Sequence, residues 1–364
     1  MQRHIDIRRA QTEARVWLFE TAAPLWSTAG ILPDGMFAER IDQAGAAVRM
    51  DRRLRVQARQ IYSFCALGQL GWQGPWRDIV TGALDIVLER GLLANGHCVH
   101  LFNDDGEVIS TAQDLYDHAF ALFALAHAGK TLRREDALAA ARRMRAAMAS
   151  WRRPEGGFWE GELTPCPPYR QNPHMHMFEA ALANGWSDLA DGLRHLFTTR
   201  LWDADSGAVT EYFDRNWQRL PGIDGAIVEP GHCLEWAWLL DPFDTKLSDG
   251  LTVFARRHGI DAARGVAINE ISLEGEIIDA SARLWPQTER LKAAVIRYAR
   301  LKTEVEAAEI IAAWQGLKPF LDTPVPGLWY DRMLADGRFR DEAAPASSFY
   351  HIVCGLNELI RLEP

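Results

Sequence analysis

Two stretches of the chain place a glutamate three residues after a histidine: His176 with Glu179 in NPHMHMFEA (172–180), and His232 with Glu235 in EPGHCLEWAWLL (229–240). Residues three apart share one helix face, so each pair can be aimed into a single cavity. Imidazole takes and returns a proton near neutral pH, and a neighbouring carboxylate fixes its tautomer and raises its basicity. Helix N-termini and an arginine directed at the same point stabilise a developing oxyanion. Such a set suits removal of a proton next to a carbonyl. His174 lies two residues from His176, so both cannot face one cavity. His176 is taken as the functional residue and His174 as supporting or structural. A doubled H-x-x-E also raises the possibility of a metal site, since di-iron bundles use Glu-x-x-His. Here the order is reversed, no bridging carboxylate is evident, and a helix N-terminus disfavours a cation. No metal is expected.

These residues need helices to hold them. DLYDHAFALFALAHAG, EDALAAARRMRAAMASW, HMFEAALANGWSDLADGLRHLF and TERLKAAVIRYARL carry apolar residues at three-to-four spacing, with Gly and Pro at their ends. Three helix starts share a proline in the first turn, at 172–180, 229–240 and 285–294. Asn172 is a candidate N-cap for the first. The polar anchors Arg59, Tyr116, His176, His232, Glu289 and His351 follow one another at intervals of 56 to 62 residues. That length holds two helices and their connections, so the chain is expected to be six helical hairpins. The expected fold is all-α: an (α/α)6 barrel of twelve helices in two rings, with the inner helix ends converging on one pocket. Long Gly- and Pro-rich connections at 152–169, 202–231, 264–280 and 321–348 hold short alternating runs, expected as β-hairpins at the active-site end. No composition break marks a linker, so residues 1–364 are treated as one domain.

Composition bounds the rest. The net charge of −9 argues against a nucleic-acid or anionic-membrane partner. The five cysteines are scattered without a C-x-x-C pair, which suits a reducing compartment and no structural zinc. The N-terminal segment lacks an apolar signal core and no apolar run reaches the roughly 18 residues of a membrane span. A cytoplasmic location is expected. HAGKT at 127–131 has Ala124 where a P-loop needs glycine, so nucleotide chemistry is unsupported. The fourteen tryptophans serve either as bulky filler or as platforms for sugar rings. The basic helix around Arg142, Arg143 and Arg145 is taken as a solvated outer face.

The stretches RVQARQIYSF (55–64), DLYDHAFAL (114–122), RQNPHMHMFEA (170–180), EPGHCLEWAWLL (229–240), RLWPQTE (283–289) and SSFYHIVCGLNEL (347–359) resemble the N-acylglucosamine 2-epimerase superfamily, almost from end to end. That superfamily also holds mannose isomerases, a phosphomannose-isomerase-like branch and cellobiose 2-epimerases, and its fold is an (α/α)6 barrel. The resemblance implies that Arg59 binds the oxygens at C1 and C2 of a sugar and that His176 assists substrate binding and ring opening. It makes His232 and His351 the two general acid/base groups. Glu235 would orient His232, and Glu289 would polarise a sugar hydroxyl or a neighbouring histidine. Tyr116, Arg170, Asn172 and Trp285 are implied substrate contacts. Leu284 stands where many members carry a second tryptophan, and SSFY precedes His351 where the disaccharide epimerases carry a tryptophan. The substrate is therefore expected to be a monosaccharide, in a compact pocket beside Phe349 and Tyr350.

The activity implied is a cofactor-free aldose–ketose isomerisation of a mannose-type hexose to fructose through a cis-enediolate. The alternatives are 2-epimerisation, or isomerisation of mannose 6-phosphate. A glycoside hydrolase needs two carboxyl groups across a cleft, whereas histidines hold the key positions here; a sugar-binding protein without turnover would not need them. No nucleic-acid or membrane partner is expected, and a homodimer is compatible with the sequence.

Overall fold

The computed structural model describes residues 2–363. Among the described residues, twelve helices follow one another. They are α1 (Gln2–Val16, continued through a π-turn at Trp17–Ala22 into Ala23–Trp26), α2 (Leu54–Gln69), α3 (Trp76–Ile86), α4 (Leu115–Leu132), α5 (Glu135–Ala147) and α6 (Asn172–Asn184), followed by α7 (Ser187–Leu196), α8 (Pro230–Leu240), α9 (Thr245–His258), α10 (Leu284–Leu301), α11 (Glu304–Leu321) and α12 (Ala346–Arg361). The even-numbered helices pack side by side into a closed inner ring, with α12 returning to α2, and the odd-numbered helices lie outside them. This is the (α/α)6 barrel that the anchor spacing predicts.

Sequence decides which ring a helix joins. In α4 the run from Leu115 to Gly129 is buried on nearly every face, including Asp117 and His118, as a helix covered all round must be. In α7 only Leu189, Ala190, Leu193 and Leu196 are buried, a stripe at three-to-four spacing, which suits a helix with one face to water. Arg142 and Arg143 on α5 are exposed, as expected of an outer helix.

The inner helices are tied together at their N-terminal ends. Before each one, the chain forms a short antiparallel pairing with the connection that follows it. Arg52–Arg53 pairs with Leu101–Phe102, Tyr169–Arg170 with Tyr212–Phe213, Ile227–Val228 with Ile271–Ser272, and Ala282–Arg283 with Arg332–Met333. Ala344–Pro345 pairs with Arg40–Ile41, which closes the circle. The remaining link is the bridge from Asp114 to Gly161. A Cβ on Gly161 would lie 2.4 Å from the Gln113 carbonyl oxygen, and its φ is +94°, so this close approach needs glycine. The circle of pairings holds six helix N-termini at one end of the barrel.

Candidate active site

Each inner helix supplies at least one polar side chain from its first two turns to a cavity of about 120 Å³. Arg59 comes from α2, Tyr116 from α4, Asn172 and His176 from α6, His232 and Glu235 from α8, Trp285 from α10, and His351 with Ser347 and Ser348 from α12. Glu229 and Arg283, just before α8 and α10, complete the lining. A larger cleft of about 710 Å³ between α1 and α11 is lined by Trp17, Trp314 and Pro319 and has no histidine.

Three buried histidines in this region each have a carboxylate on Nδ1. His176 meets Glu179 at 3.2 Å, on the helix face that i,i+3 spacing predicts. Tyr350 donates to the same carboxylate at 2.6 Å. His351 meets Glu289 at 2.8 Å. His232 meets Glu211 at 2.9 Å, with Glu229 at 3.8 Å. Glu235 therefore does not orient His232, contrary to the expectation from sequence. A histidine in the first turn of α8 turns Nδ1 back toward the preceding connection, where Glu211 and Glu229 stand. With Nδ1 engaged, Nε2 is the nitrogen each imidazole has free.

The two general acid/base candidates differ in charge. Burial works against a charged His232, yet the carboxylates of Glu211 and Glu229 overcome it and raise its pKa to about 10. Burial lowers His351 well below the ordinary value, and the cations Arg59 and Lys292 push the same way. One imidazole is held protonated and the other neutral, and both pack on Trp285. Burial also raises Glu229 to about 7.

Arg59 is held over the Phe120 ring at 4.1 Å, bonds the Tyr116 hydroxyl at 2.6 Å and reaches the Ser347 carbonyl at 3.3 Å. In the residues lining the cavity, Nε of Arg59 and of Arg283, Oδ1 of Asn172 and both carboxylate oxygens of Glu235 are buried without a hydrogen-bond partner. Buried polar atoms are normally paired, so two donors and three acceptors left unpaired in the residues around one cavity fit a ligand rich in hydroxyls. Two groupings here are close enough to hold a cation, Glu211 with Glu229 and His232, and Glu235 with Glu289 and His351. Both are already served by a cation of the protein, the first by the His232 imidazolium and the second by Lys292, 2.6 Å from Glu289. The donor set fits internal charge pairing better than a metal.

Other expectations need correction. Arg170 does not line the cavity; it pairs with Glu160 at 2.7 Å and reaches Thr164. Asn172 does not cap α6, because the helix begins with it and its side chain belongs to the cavity. Phe349 stacks on Trp26 and Trp329 in the core, and Tyr350 lies beneath the site on Glu179, so neither lines the pocket. His174 is a peg: Nε2 faces the Phe158 N–H at 3.0 Å and Nδ1 the Arg170 carbonyl at 3.1 Å. Sequence reasoning missed Glu211, Glu229, Arg283, Ser347 and Ser348. The last four sit in or beside the motif stretches, whereas Glu211 has no local signal.

The sequence profile described as N-acylglucosamine 2-epimerase matches residues 35–355. A Rhizobium meliloti protein named mannose-6-phosphate isomerase is 40% identical, over 98% of both chains. A Thermobifida fusca protein named D-mannose isomerase is 26% identical, over 63% of this chain and 64% of that one. The structure of cellobiose 2-epimerase from Bacillus thermoamylovorans superposes with a TM-score of 0.87 at 17% identity, over 96% of this chain and 99% of that one, which shows the shared fold. On the strength of the profile match and the 40% relative, the chain belongs to the N-acylglucosamine 2-epimerase family and is an enzyme of the isomerase class.

Proposed function

We propose that the enzyme interconverts a mannose-type aldose and fructose by moving one proton between C2 and C1 of the open-chain sugar. The observation that supports this most is the pairing of a protonated His232 with a neutral His351 on one small cavity. His351, neutral and free at Nε2, breaks the C2–H bond and takes the proton. The His232 imidazolium gives its proton to the carbonyl oxygen at C1. The C2–H electron pair becomes the C1–C2 double bond of a cis-enediol(ate), whose two oxygens lie under the Arg59 guanidinium. Return of the His351 proton to C1, with O2 giving its proton back to His232, yields the ketose. The electrons stay within the sugar, so no external acceptor is consumed. Glu235 and Asn172 accept from the remaining hydroxyls, which pairs their open oxygens. If the proton instead returned to the opposite face of C2, the product would be the epimer.

A second reading, a 6-phosphorylated substrate, is favoured by Arg283. Its guanidinium lines the cavity and forms no ion pair among the described residues, and the 40% relative bears the name mannose-6-phosphate isomerase. Guanidinium is well suited to phosphate. Incubation of chelator-treated enzyme in D2O with mannose, and separately with mannose 6-phosphate, followed by NMR, tests both. Deuterium in a fructose or fructose phosphate product supports isomerisation, and its appearance at C2 of glucose would make the enzyme an epimerase. Absence of exchange in both sugars would remove the proposal. Arg283→Gln should lower kcat/KM for the phosphorylated sugar far more than for mannose if the second reading holds.

A further inference from the structure

Lys292 has no place in the chemistry just described, yet its ammonium is completely buried inside the barrel. It stands one helical turn after Glu289 on α10, with Nζ 2.6 Å from Oε2 of that carboxylate. The other oxygen, Oε1, meets Nδ1 of His351 at 2.8 Å. The ammonium is also 3.9 Å from Glu235 and 4.0 Å from the centre of the Trp238 ring. Burying a lysine is unfavourable unless something specific compensates, and here the partner is the carboxylate that touches a candidate catalytic base.

We propose that Lys292 is a positioning residue that holds Glu289 as a carboxylate, so that the proton shared by Glu289 and His351 rests on Nδ1 and Nε2 stays free to act as the base. This inference rests on the role given to His351 above. Glu289 and His351 titrate as one pair. When the pair has lost its acidic proton its net charge is −1, and when it holds that proton it is neutral. A fixed positive charge at 2.6 Å favours the first state, and desolvation favours the second. The active state is the first.

The surroundings are divided: burial raises Glu289 well above the ordinary carboxylate range, and Lys292 works against that rise. From α8, Glu235 presses Glu289 toward protonation, as does Glu179 from α6, and burial acts most strongly in the same direction. Against them stand Lys292 itself and, on the His351 side, Arg59 from α2, His176 from α6 and Arg283 ahead of α10. On α12, the buried Cys354 and the half-buried Glu358 are further groups within the field of Lys292. From α11, Glu306 and Glu309 are engaged by Arg256, Arg297 and Arg290 instead. Lys292 is the cation in contact with the pair, and burial alone would lower its pKa, but Glu289 and Glu235 hold it above the ordinary value.

The test is a pH titration of 15N-histidine-labelled protein by NMR, with the His351 signals assigned through His351→Gln. In the unsubstituted enzyme at pH 7, His351 should show a protonated Nδ1 and an unprotonated Nε2. In Lys292→Met the apparent pKa of the pair should rise by one unit or more, with proton density appearing on Nε2. In kinetics the acid limb of kcat/KM should move up by the same amount, with kcat at pH 7 down tenfold or more and KM little changed. Should Lys292→Met fail to fold, Glu289→Gln/Lys292→Met removes both buried charges together. That double variant should retain at least the activity of Glu289→Gln alone, because a neutral amide needs no cation. An unshifted His351 titration in Lys292→Met, or losses in the double variant that add as if independent, would overturn the proposal. The NMR readout needs no substrate, so a failure of the sugar assignment leaves this test intact.

Discussion

The imidazoles of His232 and His351 pack on the same indole, that of Trp285, with ring centroids 4.8 and 5.6 Å away, and their surroundings drive one to the protonated and the other to the neutral form. Two identical groups thus become an acid and a base without any change of residue type. His351→Ala should abolish incorporation of solvent deuterium into the sugar, by about 10²–10⁴-fold as for loss of a general base. The protein should stay folded by circular dichroism. Exchange within tenfold of the unsubstituted rate would assign the base elsewhere.

Glu211→Gln tests the acid. The Glu211 carboxylate helps raise His232 to about 10, so its removal destabilises the imidazolium and lowers that value. His232 would then lose its proton at a lower pH, and the alkaline limb of the kcat/KM profile should move down by one to two units. Activity at pH 7 should change little while activity at pH 9 collapses. Equal loss at both pH values would mean that Glu211 acts by some route other than the charge of His232.

Gly231→Ala tests Trp285 as a shared platform. A Cβ at Gly231 would lie 2.6 Å from the indole Cη2 and 2.9 Å from Pro286 Cβ. Gly231 lies in α8 without a positive φ, so the backbone accepts alanine and the strain falls on the ring. The indole must shift, carrying with it the surface against which both histidines pack. Steady-state kinetics should show kcat/KM lowered by at least tenfold while thermal stability falls by only about 1–3 kcal/mol, the usual range for overpacking. A variant with unchanged kinetics would show that the position of Trp285 is not critical.

Much of this arrangement was written locally in the chain. The 56-to-62-residue spacing of the anchors carried the six hairpins, and apolar periodicity carried the helices. The H-x-x-E rule worked at His176–Glu179 because both residues lie well inside α6, where three residues apart means one face. It also put His232 and Glu235 on one cavity, but Glu235 does not orient the imidazole: His232 is in the first turn of α8 and the carboxylate on its Nδ1 is Glu211, 21 residues upstream. What brings Glu211 there is the pairing of Tyr212–Phe213 with Tyr169–Arg170, a contact between two connections that no local pattern records. Arg170, in that same pairing, bonds Glu160 and stays off the cavity. Helix faces are legible from spacing, and loop-to-loop register is not.

His174→Ala separates structure from chemistry in the opening H-M-H of α6. The imidazole is fully buried, joins the Phe158 N–H and the Arg170 carbonyl, and meets the Trp217 ring at 4.8 Å. Truncation leaves both backbone groups unpaired and opens a cavity, which should cost about 2–4 kcal/mol, while kcat stays within about tenfold. Burial holds the His174 pKa down at about 4. The unfolded chain binds a proton at this site near pH 6.5 and the native protein does not, so the site's contribution to stability is fully present above pH 6.5. It is lost as pH falls from 6.5 toward 4, by about 2 kcal/mol between pH 7 and pH 5. The alanine variant lacks that titration, so its denaturant midpoint should fall less steeply between those two pH values than that of the unsubstituted protein. A parallel fall in the two proteins would mean that His174 is charged in the native state, contrary to a peg that accepts the Phe158 N–H on Nε2.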